Sequence, residues 1–249
     1  MKPILITEPR TGSTLFCQML GNIAKQHFGY KSNLNEVFTV DPLYKSGYEK
    51  VDGVVRSTGR EVAGYQWYES AREEKLKRLA LFDNDNNYMI KIFPFDMEHA
   101  EVEIKQFVNQ YDIVYLERRD KLTQLISFLG MTHNRVSHFR TGSSRTINEI
   151  HYDKTWTKFF IKSAQLYKQF KFENLNNHPV VYYEDFMALG GDESAIIQLL
   201  NLPLTVNDKE VLKTMPTPYS ELNIESLIIN KEEWQADRDT IVNELYKTL

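Results

Sequence analysis

Short apolar runs that alternate with helical patterns constrain the fold of this chain more than any other feature of its sequence. Four runs have the length and the composition of buried parallel strands. They are Ile4–Thr7, Tyr88–Phe93, Ile113–Leu116 and Pro179–Tyr183. Stretches with helical character lie beside them, at 13–28, 66–82, 96–109, 119–131 and 151–173. This alternation predicts an α/β fold with a central parallel sheet flanked by helices.

The segment 151–173 carries the clearest helical pattern. Its apolar residues recur at steps of three and four, which is typical of one helix face packed on a core. They are Trp156, Phe159, Phe160, Ala164, Tyr167 and Phe170. We interpret this aromatic face as core packing and not as a cofactor site.

Two long segments, 29–64 and 132–150, are polar or contain glycine, and we expect them to be irregular. Long loops in compact domains are often functional, so these are candidates for an acceptor site. The tail after Pro216 is typical of a loop followed by a helix, and no linker is apparent. The chain is therefore predicted to form a single domain over residues 1–249.

Composition excludes several classes of function. The formal net charge of -4 argues against a nucleic-acid partner. Cys17 is the single cysteine, which fits a reducing compartment, and we interpret it as a small buried hydrophobe. The first apolar run is too short for a signal core, no stretch approaches a membrane span, and the histidines form no metal pattern. We expect a soluble, cytoplasmic protein without a metal or a membrane partner.

The sequence PRTGST, which follows the first predicted strand, has the features of an anion-binding loop. A helix that begins after such a turn directs free backbone N–H groups at the loop. Gly12 allows close approach of an anion, Ser13 and Thr14 add hydroxyl donors, and Arg10 adds a charged fork. An ordinary strand–turn–helix connection with a solvated Arg10 is the alternative.

The loop differs from the nucleotide-triphosphate loop G-x-x-x-x-G-K-[ST]. When Gly12 and Thr14 are aligned with that motif, Thr7 stands at the first glycine and Ser13 stands at the lysine. The lysine normally binds the terminal phosphates. Its replacement counts against hydrolysis or transfer of a γ-phosphate.

A second basic turn follows the third predicted strand. Arg118 and Arg119 precede a helical stretch that carries Ser127, eight residues after Arg119. Ligands of open parallel sheets bind at the carboxyl ends of strands, so both basic turns should face one crevice. Arg119 and Ser127 could hold one phosphate between them. A basic helix start with a serine that contacts neighbouring backbone is the alternative.

The two turns together resemble the cofactor motifs of the sulfotransferases, which use 3′-phosphoadenosine 5′-phosphosulfate (PAPS). The resemblance covers residues 4 to about 202 in order and implies a P-loop-like sulfotransferase fold. It implies that the second turn binds the 3′-phosphate through Arg119 and Ser127. It also implies binding of the 5′-phosphosulfate by the residues of the first loop, which are Arg10, Thr11, Gly12, Ser13 and Thr14.

Two further stretches extend the resemblance. The sequence VVYYEDF, at 180–186, is similar to a family strand that ends in YED, which makes Tyr183 a candidate adenine contact. The sequence NEVF, at 35–38, resembles an E-Y-F element of the bacterial branch typified by trehalose sulfotransferase. In that branch the glutamate is the proposed base, which implies this role for Glu36. Solvation at the surface is the alternative for a loop glutamate.

The implied activity is transfer of a sulfuryl group from PAPS to a hydroxyl of a small-molecule or carbohydrate acceptor, without metal. Glu36 would act as the base, while Arg10 and Ser13 would stabilise the leaving group. A P-loop-type kinase and a catalytically silent nucleotide-binding module are the alternatives. The aromatic pair Trp67 and Tyr68 would suit a homodimer interface.

For two groups of charged residues we favour a non-functional interpretation. Lys91 ends the second predicted strand and could point into the crevice, but lysine side chains at strand ends usually extend to solvent. The acidic and basic residues at 73–77 are typical of a solvated helix face.

Overall fold

The computed structural model describes residues 1–39, 46–61, 69–82, 87–134, 149–174, 178–204 and 224–247. Its strands are β1 (Pro3–Thr7), β2 (Ser32–Asn35), β3 (Ser46–Val51), β4 (Val54–Glu61), β5 (Tyr88–Ile92), β6 (Asp112–Glu117) and β7 (Val180–Tyr182). Its helices are α1 (Ser13–His27), α2 (Glu69–Ala80), α3 (Glu101–Val108), α4 (Lys121–Asn134), α5 (Lys154–Glu173), α6 (Tyr183–Ala188), α7 (Glu193–Leu199) and α8 (Lys231–Lys247). Two 3-10 turns span Pro94–Met97 and Ile224–Leu227.

Five of these strands form a central parallel sheet in the order β2-β5-β1-β6-β7. The central strand β1 pairs with β5 on one side and with β6 on the other. Every residue of β1 and β5 is buried, as expected for strands covered on both faces. The predicted α/β fold with a central parallel sheet flanked by helices is therefore confirmed.

The strand order defines a preferred ligand site. From β1 the chain continues to β2 on one side of the sheet, whereas from β6 it continues to β7 on the other side. Ligands of open parallel sheets bind where neighbouring strands diverge in this way, at their carboxyl ends. Here that point lies between the loops that follow β1 and β6, and these are the two basic turns of the sequence.

The expectation that 29–64 is irregular was wrong for its described part. This segment contains β2, which pairs with β5 at the edge of the sheet, and an antiparallel hairpin formed by β3 and β4. The sequence of β2, SNLN, has no apolar run because an edge strand has one neighbour and is only partly buried. Its pairing with the buried strand β5 produces a strand that composition does not predict.

Helix α5 confirms only part of its predicted core face. Phe160, Ala164, Tyr167 and Phe170 are buried. Trp156 and Phe159, which lie in its first two turns, are 42% and 37% exposed. Cys17 is fully buried in α1, as predicted, and desolvation raises its thiol pKa to about 12.

Other boundaries differ by small amounts from those predicted. Tyr183, which was assigned to the last strand, is the first residue of α6. The predicted helix 96–109 divides into the 3-10 turn Pro94–Met97 and α3. Residues 135–148, and the aromatic pair Trp67 and Tyr68, lie outside the described residues. Among the helices that the structure describes, none combines the length and the apolarity that crossing a bilayer requires.

Candidate functional site

Gly12, in the PRTGST loop, has a backbone conformation and a close neighbour that both favour glycine. Gly12 has a φ of 77° and directly precedes α1, where it provides no side-chain cap. The ring of buried Tyr183 lies so close that a Cβ on Gly12 would be 2.3 Å from Tyr183 Cε2. The start of α1 therefore lies beside Tyr183, with the helix dipole and its first N–H groups directed at the loop.

The inner side of this loop is braced by its own hydroxyl groups. The Thr11 side chain is fully buried, and its hydroxyl donates to the Glu8 carbonyl at 3.0 Å. The Thr7 hydroxyl donates to the Leu116 carbonyl of β6 at 2.9 Å and lies 2.6 Å from the Thr11 hydroxyl. The side chain of Thr11 thus supports the loop from inside, which leaves its backbone as the part suited to contact an anion.

A buried ion pair anchors the loop to α4. The Lys121 ammonium contacts the Glu8 carboxylate, and both side chains are almost completely buried. The Gln124 amide donates to the Pro9 carbonyl at 2.6 Å. These contacts hold the loop after β1 against the helix that follows β6, so the two basic turns form one unit.

Arg10 and Ser127 meet directly. The Arg10 Nε donates a hydrogen bond of 3.1 Å to the Ser127 hydroxyl, across 117 residues of chain. Arg10 adopts a positive φ of 62°, a conformation uncommon for a residue other than glycine and often found at functional sites. The structure therefore brings Arg10 of the first basic turn into contact with Ser127, the residue that was predicted to act with the second basic turn.

Lys91 contradicts the expectation that it extends to solvent. It is 1% exposed, and its ammonium lies 2.6 Å from Glu36 Oε1. The same ammonium donates a hydrogen bond of 3.2 Å to the Thr14 hydroxyl in the first turn of α1. Because β5 is buried on both faces, a lysine on it must extend along the sheet to the start of α1. In the sequence, the position of this lysine within an otherwise apolar strand was the sign that it is buried.

Glu36 is held by a network that sequence reasoning missed. The segment after β2 carries Glu36 and then two fully buried core residues. The Arg78 guanidinium of α2 donates to the carbonyls of Val37 at 2.6 Å and Thr39 at 3.1 Å. The Asp96 carboxylate accepts a hydrogen bond of 2.9 Å from the Thr39 hydroxyl. Two buried charged side chains thus fix the backbone just after the candidate base.

The interpretation of 73–77 as a solvated face was wrong for Lys75. Lys75 is buried, and its ammonium donates to the carbonyls of Asp96 and Glu98. Glu74 accepts a hydrogen bond of 3.0 Å from the buried Arg78. Alternating charges resemble a solvated face, but α2 packs against the turn that follows β5 and buries Lys75 and Arg78, whereas Lys77 stays exposed.

Asp96 leads to a prediction about stability. Burial, opposed by Lys75 and aided by the Glu36 charge, raises the Asp96 pKa to about 7 from 3.8. Between these values the folded protein binds more protons than the unfolded chain, so this contribution to stability falls as pH rises. Asp96→Asn should remove the effect. We expect urea unfolding to show wild type losing about 2 kcal/mol relative to the variant between pH 5 and pH 7.5.

A matched control is Asp239→Asn, because the Asp239 side chain is almost fully exposed. Its stability should follow that of wild type at both pH values. A constant difference between wild type and Asp96→Asn over this range would contradict the assignment.

The two arginines after β6 differ in their surroundings. The Arg119 guanidinium forms a bidentate pair with Asp185 at 2.6 and 2.7 Å and lies 4.1 Å from the centre of the Tyr182 ring. This hydrogen bonding lowers the pKa of Asp185 and raises that of Arg119. The Arg118 guanidinium lies 5.3 Å from the centre of the Tyr183 ring, on the side chain that covers Gly12.

Arg118 carries a buried donor that the described residues leave unsatisfied. Its Nε is buried without a hydrogen-bond partner, and its nearest carboxylate, Glu184, is 4.0 Å away. Such a donor carries a desolvation cost unless a partner arrives. Arg118 and the start of α1 thus flank Tyr183 from two sides.

The predicted residues form three groups of direct contacts. Arg10 contacts Ser127, and Lys91 contacts both Thr14 and Glu36. Gly12, Tyr183 and Arg118 form the third group. Ser13, the first residue of α1, is buried, whereas Arg119 forms an exposed ion pair with Asp185.

Comparison with known proteins adds no family to this description. No protein-family model matches the chain, and no curated protein shows significant similarity to it.

Within the described residues, no group of three or more histidine, cysteine, aspartate or glutamate side chains is arranged to hold a metal ion. An open depression lies at the other end of the strands, near the amino ends of β1, β6 and β7, and its lining includes Asp112 and His178. It has no cluster of converging charges.

Proposed function

We propose that this protein is a PAPS-dependent sulfotransferase that moves a sulfuryl group to a hydroxyl of a small-molecule or carbohydrate acceptor. The observation that carries the proposal is the contact of Lys91 with both Glu36 and Thr14. It puts a cation and a carboxylate together at the start of α1. That arrangement suits a transfer in which charge develops on one oxygen while another oxygen loses a proton.

The residues present fit the two charged ends of the donor. The loop after β1 supplies Arg10 and the start of α1 for the 5′-phosphosulfate, and Lys91 of β5 adds its ammonium beside Thr14. The turn after β6 supplies Arg118, whose buried Nε lacks a partner, and Arg119 for the 3′-phosphate. Asp185 pairs with Arg119 in an exposed position, where ion pairs are worth little, so a phosphate can replace it at low cost.

Transfer would proceed by in-line attack of the acceptor oxygen on sulfur. A new S–O bond forms while the bond between sulfur and the bridging oxygen breaks, and that oxygen keeps the electron pair. Glu36, whose side chain is 39% exposed, accepts the proton of the acceptor hydroxyl. Lys91, Arg10, Ser13 and the dipole of α1 stabilise the charge on the leaving oxygen.

The position of Lys91 also suits an alternative function, that of a P-loop-type kinase. The absence of the loop lysine argued against a kinase, yet the Lys91 ammonium contacts Thr14, the residue after the position where that lysine would stand. A P-loop-type kinase could use it on a terminal phosphate. The two functions differ in their need for magnesium, because a sulfuryl group carries less charge than a γ-phosphoryl group.

Ligand binding separates these functions. Under the proposal, 3′-phosphoadenosine 5′-phosphate raises the melting temperature in the presence of a metal chelator. Stabilisation by ATP with magnesium, and not by this bisphosphate, would establish the nucleotide-triphosphate alternative. Transfer of label from ³⁵S-labelled PAPS to a panel of hydroxyl acceptors then tests the reaction itself.

Arg119→Ala tests recognition of the 3′-phosphate. We expect the affinity for 3′-phosphoadenosine 5′-phosphate to fall about tenfold or more, since a charge-assisted bidentate contact is lost. The affinity for adenosine 5′-phosphate, which lacks that group, should change little. Isothermal titration measures both.

Arg238→Ala is the matched control, because Arg238 of α8 also forms a two-bond pair with a carboxylate, that of Glu225, in a part-buried position outside the candidate site. Its affinities should equal those of wild type. If Arg119→Ala lowered the affinity for both ligands equally, Arg119 would not be the residue that recognises the 3′-phosphate. The same measurements on Arg118→Ala would then show whether Arg118 recognises it.

A further inference from the structure

The first turn of α6 contacts both basic turns of the candidate site. It consists of Tyr183, Glu184 and Asp185, and we refer to these three consecutive residues as the YED turn. The YED turn directly follows β7, which ends at Tyr182. It therefore lies at the carboxyl end of the sheet, where the loops after β1 and β6 also lie.

The first residue of the YED turn covers the glycine of the loop after β1. Gly12 was expected to allow the close approach of an anion, yet the ring of Tyr183 takes that position. A Cβ on Gly12 would lie 2.3 and 2.5 Å from two carbon atoms of this ring, which is buried. On this side of Gly12, a phosphate can reach the backbone only after the ring has moved.

The second residue occupies N–H groups that precede α4. Both carboxylate oxygens of Glu184 accept a hydrogen bond of 3.1 Å from the backbone N–H of Arg119. One of them also accepts a bond of 3.3 Å from the backbone N–H of Asp120. Backbone N–H groups at the start of a helix are the donors that bind phosphates. The Glu184 carboxylate therefore stands in the place of an anion.

The third residue occupies the side chain of the second basic turn. Asp185 accepts two hydrogen bonds from the Arg119 guanidinium, and the Tyr182 ring supports the same guanidinium from its face. A carboxylate and a phosphate offer an arginine fork the same two-bond geometry. The Arg119 and Asp185 side chains are 50% and 43% exposed, so water can hydrate both when the pair opens.

We propose that the YED turn is an autoinhibitory latch, which occupies the anion-binding groups of both basic turns until a phosphate-bearing nucleotide displaces it. The inference rests on the proposed function for its ligand, because it concerns the regulation of the same site. Its three residues are consecutive. A phosphate that releases the two carboxylates from the turn after β6 therefore also draws Tyr183 away from Gly12, so binding at one basic turn opens the other.

A latch and a structural brace differ in the sign of one effect. A brace stabilises the site in its binding form, so weakening it lowers both the stability of the protein and its affinity for the ligand. A latch stabilises only the form that excludes the ligand. Weakening it therefore lowers the stability of the protein without ligand but raises its affinity, because a larger fraction of the protein is competent to bind.

Glu184→Gln/Asp185→Asn tests this sign, since it keeps the side-chain shapes and removes both charges. We expect the melting temperature without ligand to fall by about 2–5 °C. Isothermal titration should show the affinity for 3′-phosphoadenosine 5′-phosphate rising about five- to tenfold. Asp192→Asn is the matched control, because the Asp192 carboxylate also accepts from a backbone N–H but caps α7 and not the start of α4. It should lower the melting temperature and leave the affinity unchanged.

A double-mutant cycle separates occupancy from long-range repulsion, because removing any negative charge near an anion site raises affinity. If Asp185 acts by occupying the Arg119 fork, Asp185→Asn should raise the affinity in an otherwise wild-type protein. In the Arg119→Ala background the same substitution should change it by less than about twofold. An equal gain in both backgrounds would overturn the latch.

The displacement of Tyr183 has a direct readout. A nuclear Overhauser effect between the Gly12 α-protons and the Tyr183 ring protons should be present without ligand and lost at saturation with the bisphosphate. Its persistence at saturation, or a lower affinity of Glu184→Gln/Asp185→Asn, would overturn the inference.

Failure of the proposed function gives a different pattern in the same titrations. Binding of ATP with magnesium and not of the bisphosphate, with the same gain in Glu184→Gln/Asp185→Asn, would reject sulfuryl transfer and support the latch for another nucleotide. Binding of neither nucleotide by wild type or by the double variant would reject both proposals.

Discussion

Replacing Lys91 with methionine should leave the protein folded and remove its thermal response to 3′-phosphoadenosine 5′-phosphate. Methionine has a similar length and no charge, so it suits the buried position on β5. Substitution of a buried ion pair member usually costs several kcal/mol when the partner stays buried. Here the partner, Glu36, is partly exposed and can be hydrated. We therefore expect the melting temperature without ligand to stay equal or to rise.

The effect on ligand and reaction should be large. Lys91 supplies the cation at the start of α1, where the leaving group would bear its charge. Loss of one such electrostatic contact lowers turnover by about 10²- to 10³-fold. Glu36→Gln should lower turnover by a comparable factor, yet it should leave the affinity for the bisphosphate within about threefold of wild type, since the proposed base would contact the acceptor and not the donor.

Lys105→Met is the control for Lys91→Met. Lys105 of α3 also forms close ion pairs, with Glu101 and Glu173, but it lies outside the candidate site. It should keep the full thermal shift. A normal shift and normal turnover in Lys91→Met would exclude the arrangement of Lys91, Glu36 and Thr14 as the reacting centre, whatever the substrate.

Gly12→Ala should be the most destabilising single-methyl addition in the described part of the loop. Two costs combine at this position. The positive φ disfavours any residue with a Cβ by about 1 kcal/mol, and the added atom overlaps the Tyr183 ring, which costs about 1–3 kcal/mol more. For a chain of this size we expect the melting temperature to fall by about 5–12 °C.

Gly29→Ala separates the two costs. Gly29 has a similar φ of 70°, but no atom lies within 4 Å of its Cβ position, so it measures the backbone cost alone. Gly12→Ala should exceed Gly29→Ala by the cost of the overlap, and this excess should largely disappear when Tyr183 is also changed to alanine. An equal loss of stability in Gly12→Ala and Gly29→Ala would show that the loop yields to the added methyl.

The pattern of apolar runs was sufficient to predict the buried strands of the sheet, and the reason is local. A strand buried on both faces requires an apolar run, so β1, β5 and β6 were recognisable one by one. The edge strand β2 has no such requirement, and its sequence, SNLN, carries no signal. The expectation that both basic turns lie on the same side of the sheet followed from the parallel arrangement, because the loops after parallel strands leave from their carboxyl ends.

The burial of several charged residues, in contrast, was not predictable from local sequence. Lys91, Lys75 and Arg78 are buried, although lysine and arginine at such positions are usually solvated. Their burial depends on distant partners: Glu36 and Thr14 for Lys91, and backbone carbonyls for the other two. No local pattern specifies a partner tens of residues away.

Local sequence was thus enough for the buried strands and for most of the long helices, because each of these depends on residues close together in the chain. Tertiary structure alone decided which side chains share the site. It paired Arg10 with Ser127, Glu36 with Lys91 and Gly12 with Tyr183, and it turned Trp156 and Phe159 towards solvent. These contacts arise where separate strands and helices converge at one edge of the sheet, and that convergence is a property of the packed fold.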